Sequence, residues 1–141
     1  MVNRSIVVSR LGFIEDALKE MQSLGGTDKE GFLRNKTAVA AVESYLRRSL
    51  EALFDIARHL LVHQGWHEYS LEYKSLAKGM AAKGIVTAEM EKPLLEMAGY
   101  RNRLVHFYHE VKAEELFEII QRDIRHLEQV VKQIRQYTAQ L

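Results

Sequence analysis

The sequence predicts an all-α protein, an antiparallel bundle of four to five helices in a single domain spanning residues 1–141. Two observations carry this. One proline and eight glycines in 141 residues leave too few turn formers for a β fold. Apolar residues recur at spacings of three and four along nearly the whole chain, the period of a helix with one buried face. A chain of this length buries a sizeable core without covalent staples.

The first helix is expected from Ser5 to Leu24, with Val7, Leu11, Ile14, Leu18 and Met21 on one face and Gly25-Gly26 as its stop. Thr27-Asp28-Lys29-Glu30 reads as a capping box opening a second helix that runs to about His63, with a break or loosened turn near Gly31 to Asn35. Val42, Leu46, Ser49, Leu53, Ile56 and Leu60 form its stripe. Val39, Leu50, Phe54, Ala57 and Leu61 widen that stripe into a face suited either to the centre of the core or to a dimer contact.

A short third helix, Leu71 to Lys83, carries Tyr73, Leu76, Ala77 and Met80 and closes at Gly84. Thr87 caps the fourth, whose stripe is Met90, Leu94, Met97, Arg101, Leu104 and Val105, with Pro93 bending its early turns and Gly99 allowing close packing. The last helix spans Ala113 to Thr138 with Leu116, Ile120, Ile124, Leu127, Val131 and Ile134 inward. Its charges, Glu115, Asp123 and Arg135 among them, read as a solvated face with local ion pairs.

Composition excludes several functions. No cysteine is present, which removes disulfides, thiolate metal sites and thiol catalysis. The N-terminal apolar stretch is too short for a signal peptide and no run approaches a membrane span, so a cytoplasmic protein with no membrane partner is expected. A net charge of +1 confines any nucleic-acid contact to a local patch.

The chemistry concentrates in Met97-Ala98-Gly99-Tyr100-Arg101-Asn102-Arg103-Leu104-Val105-His106-Phe107-Tyr108. On a helix turning about 100° per residue, Asn102 and His106 lie about 40° apart, and Arg101 and Tyr108 nearly in line. Arg101 and His106 are about 140° apart, within the swing of a long guanidinium. A cation, an amide, an imidazole and a phenol so placed suit phosphodiester chemistry. An imidazole takes a proton near neutral pH, and an always-charged Arg stabilises charge developing on phosphorus. With RNA the 2′-hydroxyl is an internal nucleophile, so neither a metal nor another cofactor is required.

The spacing is weighed against chance. An Arg-x4-His pair arises in roughly one of two sequences of this composition, and Arg58 with His63 is a second instance here. Requiring Tyr two places after the His lowers the rate to roughly one in fifty, and only the Arg101 instance passes.

Arg101, His106 and Tyr108 fill the R-x4-H-x-Y pattern, and the stretch resembles the signature of HepT-like proteins, a branch of the HEPN (higher eukaryote and prokaryote nucleotide-binding) superfamily. Asn102 matches the polar residue that follows the Arg in HEPN ribonucleases. Ala41-Val42-Glu43-Ser44-Tyr45-Leu46 through Glu51-Ala52-Leu53-Phe54-Asp55-Ile56-Ala57 resembles the family's long second helix.

The resemblance implies a two-fold homodimer with its active groove between subunits and an endoribonuclease toxin of a toxin–antitoxin pair. His106 would be the general base, Arg101 the transition-state cation and Asn102 a phosphate or orienting contact. It also implies a nucleotidyltransferase antitoxin that transfers AMP to Tyr108. Whether Asp55 or Glu43 joins the site stays open. Two other readings stand beside it: a non-catalytic helical module binding a nucleotide or protein, and a metalloprotein built on His59, His63 and His67, disfavoured because Gly65 interrupts the stripe.

Overall fold

Asn3 starts the first helix: its side-chain Oδ1 accepts from the Ile6 N–H at 3.2 Å, so α1 (Arg4–Gly25) opens capped. In the computed structural model, which describes residues 2–66, 72–106 and 111–141, α1 ends at Gly26, whose φ of 57° suits glycine. A short helix α2 (Lys29–Arg34) follows, and then the spine, α3 (Lys36–His63). The expected break is therefore present at Asn35, whose side chain accepts from the Ala38 N–H at 3.0 Å and caps α3. The Thr27 capping box is not formed: Asp28 stands at the N-cap of α2 and its side chain makes no capping hydrogen bond.

Helices α4 (Tyr73–Ala82), α5 (Glu91–His106), α6 (Ala113–Arg122) and α7 (Ile124–Ala139) complete the described elements, with a 3-10 turn at Ala88–Met90 leading into α5. Pro93 lies in the first turn of α5, where amides have no partner within the helix, so its missing N–H costs little. Among the described residues the bundle thus has five helical arms, two of them interrupted, at Asn35 and at Asp123.

The interruption at Asp123 corrects the single last helix expected from Ala113 to Thr138. Asp123 is 6% exposed, and its carboxylate accepts from the Tyr100 hydroxyl at 2.7 Å and from the Arg122 Nε–H at 3.2 Å. The backbone at Asp123 stays near the helical region, and its N–H still donates to the Ile119 carbonyl at 2.8 Å, so the run is interrupted for one residue while each flanking segment keeps its apolar face. Glu115, Arg135 and Asp123 are also not part of a solvated face with local pairs: each is bound across elements. Arg135 meets Glu15 of α1 through two hydrogen bonds, at 2.9 and 2.5 Å.

Of the two roles open to α3, the stripe residues take the core. Val42, Leu53, Phe54, Ala57, Leu60 and Leu61 are fully buried against the same chain. Helix α1 lies along α3 as the most extensive pairing, with α4 and α5 packed on each other and on α3, and α7 closing over α1. Gly79 admits this packing, because a Cβ there would sit 2.9 Å from the Leu61 side chain and 3.0 Å from the Trp66 ring. Gly99, expected to do the same, has nothing among the described residues within 4 Å of where its Cβ would be. Among the described residues no helix is long and apolar enough to cross a membrane.

Candidate active site at the end of helix α5

Leu94, Met97, Ala98 and Leu104 are buried and fix the azimuth of α5. Arg101 is seven residues after Leu94 and three before Leu104, so it shares their stripe and is drawn half into the bundle. Its Nε is buried and has no hydrogen-bond partner among the described residues. Its guanidinium carbon lies 4.2 Å from the ring centroid of Tyr73 on α4. The Tyr73 ring in turn stacks on the fully buried Phe54 of α3, with centroids 4.8 Å apart and planes 14° from parallel. Three helices therefore hold one cation through an aromatic stack, and among the described residues no carboxylate neutralises it.

Asn102 is half-buried and His106 is exposed as the last residue of α5. Arg101 and His106 are separated by about 7.5 Å along the axis and about 140° around it. Both residues fall within the last two turns of α5. Tyr108 lies outside the described residues, as do His67, Tyr69 and Leu71.

Arg103 behaves differently. It donates to both carboxylate oxygens of Glu115 on α6, at 2.6 and 2.7 Å, an ion pair that ties the end of α5 to the start of α6. One residue before Arg101, Tyr100 donates to Asp123. Burial first, and then that carboxylate, push the phenol up to about 12.

The other candidates do not join the run. Asp55 is engaged by Arg58 at 3.1 Å, and Glu43 is half-buried on α3 without an ion pair among the described residues. His59 and His63 meet edge to face with centroids 4.7 Å apart, and His59 Nε2 accepts from the Asn3 N–H at 3.0 Å. Burial chiefly, then nearby His63 and Arg10, hold His59 below the usual imidazole range. That geometry occupies Nε2 of His59, and among the described residues no three His, Asp or Glu side chains converge. A surface groove between α1 and α7, bordered by Glu15, Lys19, Glu128 and Arg135, holds none of the motif.

Sequence reasoning missed two residues, Tyr73 and Glu115. Tyr73 reads as one more member of an apolar stripe, and Glu115 as one of several surface acids. Neither spacing signals a partner on another helix.

The arrangement defines an all-helical bundle that carries Arg101, Asn102 and His106 on one helix. The chain belongs to the Ribonuclease HepT-like family, whose model matches residues 14–134. The mRNA nuclease HepT of Shewanella oneidensis is 27% identical over 132 residues, covering 92% of this chain and 96% of that protein. The tri-AMPylated Shewanella oneidensis HEPN toxin, solved in complex with MNT antitoxin, matches with a TM-score of 0.81 at 26% identity over 93% of this chain and 97% of that one. A toxin–antitoxin structure with AMP-PNP matches at 0.82 and 25% identity, covering 94% and 98%. The cytosolic protein YutE of Bacillus subtilis, of unknown function, shares the fold at 0.82 and 23% identity, over 96% and 90%.

Proposed function

We propose that this chain is a cytoplasmic endoribonuclease toxin that cuts RNA without a metal ion and is neutralised by a nucleotidyltransferase antitoxin. The carrying observation is Arg101: a guanidinium half-buried near the end of α5, held by an aromatic ring and paired with no carboxylate among the described residues, is placed to meet an incoming phosphate. Membership of a ribonuclease family and the relative described as an mRNA nuclease support the substrate class.

In this reading His106 takes the proton of a ribose 2′-hydroxyl and the 2′-oxygen attacks phosphorus. Arg101 stabilises the charge on the phosphorane, with Asn102 holding or orienting the phosphate. The P–O5′ bond then breaks, leaving a cyclic phosphate, and the departing oxygen takes a proton from an imidazolium. A second copy of the chain that laid its own α5 alongside would bring a second arginine and histidine to one groove. Two copies would meet along their α5 helices, and an isolated protomer would be inactive.

The neutralising partner transfers AMP to Tyr108 from ATP, releasing pyrophosphate. Each added phosphate competes with RNA for the same cation. The AMPylated state and MNT partner of the Shewanella toxin support this step.

Each catalytic group contributes about 10²-fold or more. Purified Arg101→Ala and His106→Ala should lose RNA cleavage and growth arrest while wild-type cleavage persists in EDTA. Full cleavage by both variants would remove the assignment. Intact mass after incubation with the antitoxin and ATP should rise in AMP steps, and Tyr108→Phe should abolish them.

A further inference from the structure

We propose that Tyr73 is the positioning residue for Arg101: the ring, backed by Phe54, fixes the guanidinium at the end of α5 and leaves its charge unneutralised. The proposal rests on the reading of Arg101 as the transition-state cation. Long arginine side chains lose catalytic value when they wander, because a cation displaced by about 1 Å from the developing charge forfeits much of its effect.

The usual restraint is a carboxylate, and the chain uses it for Arg58, Arg103, Arg122 and Arg135, paired with Asp55, Glu115, Asp123 and Glu15. A carboxylate at Arg101 would cancel the charge that a phosphate must meet. A ring face attracts the cation and carries no net charge, so it restrains the group without neutralising it.

The rest of the geometry agrees. The guanidinium carbon is 4.2 Å from the Tyr73 centroid. Tyr73 is itself held by the stack on Phe54, which is 0% exposed. Arg101 Nε is buried and unpartnered. A desolvated cation–π contact is the stronger kind. Tyr73 belongs to α4, so the cation on α5 is aimed by the packing of two other helices and not by its own.

The test uses the full-length protein and steady-state cleavage of a fluorogenic RNA. Tyr73→Phe keeps the ring and should retain cleavage. Tyr73→Leu should lower kcat roughly tenfold with a smaller change in KM, as expected when a desolvated cation–π contact is lost. Because Tyr73→Leu also changes packing, phenylalanines carrying successive fluorines are placed at position 73. They preserve shape and drain the ring face, so kcat should fall stepwise while the melting temperature holds.

In wild type the Arg101 Nε–Hε NMR signal should show a ring-current shift that Tyr73→Leu removes. A flat kcat across the fluorinated series, with Arg101→Ala inactive, overturns the role of Tyr73. Full activity of Arg101→Ala instead overturns the ribonuclease reading, and the ring-current shift still reports whether the stack exists.

Discussion

Arg101 and Arg103 stand two residues apart on α5, and their surroundings are opposite. Arg103 is clamped by both oxygens of Glu115, its charge spent on joining α5 to α6. Arg101 rests on Tyr73, its Nε buried and its charge unmatched by any carboxylate among the described residues. A protein bent only on stability has little reason to leave a half-buried cation unpaired, since desolvation without a counter-charge is costly. Leaving it so makes sense where a phosphate is to complete the pair. Two arginines on one helix are thus set apart by what each of them meets, a carboxylate or a ring.

The largest effect should come from Arg101→Ala, which is expected to reduce RNA cleavage by about 10²-fold or more with little change in melting temperature. Arg103→Ala should do the reverse and act on stability. Similar catalytic losses for the two would break the distinction.

Beneath the stack, Phe54→Ala empties a fully buried site and should cost about 3–5 kcal/mol, read by denaturant unfolding. Where that variant still folds, the loosened Tyr73 should lower kcat as well.

Loss of the Arg103 clamp is worth less. The pair is about a third exposed on each side, so Arg103→Ala should cost about 1 kcal/mol. Arg103→Glu combined with Glu115→Arg should recover part of it, whereas no recovery would mean the clamp is incidental.

Tyr100→Phe should cost about 1 kcal/mol, because Asp123 keeps its Arg122 hydrogen bond. It should also change the alkaline limb. Folding holds the Tyr100 phenol protonated, its value raised from 10.0 to about 12. That contribution is complete below pH 10 and is lost as pH rises through about 12. Wild type should lose stability across that window more steeply than Tyr100→Phe.

The smallest effect concerns His59, whose value is lowered in the folded chain, chiefly by burial. Its contribution is present above pH 6.5 and is lost as pH falls through the folded value, so acidification should destabilise wild type more than His59→Asn.

Much of the architecture was legible in the sequence because helix-forming stripes are local. Val7 to Met21, Val42 to Leu61 and Leu116 to Ile134 announce which residues turn inward, and the structure buries them. The break at Asn35 was legible too, since a capping side chain acts within one turn. The break at Asp123 was not, because the apolar stripe from Leu116 to Ile134 runs through it unbroken and what Asp123 bonds, the Tyr100 hydroxyl, comes from another helix. For the same reason Gly99 was credited with a packing role that Gly79 performs: only the approach of Leu61 and Trp66 tells which glycine is needed.

The candidate site divides in the same way. By itself the sequence determined an all-helical chain, the positions of Arg101, Asn102 and His106 on one helix, and a pattern that resembles one family. Those follow from a period of about 3.6 residues and from residue chemistry, both carried by neighbours along the chain. Only the tertiary structure decided which arginine meets a carboxylate and which, among the described residues, meets a ring instead. That depends on Glu115 and Tyr73, brought to α5 by α6 and α4, and such contacts leave no mark on spacing along a single helix.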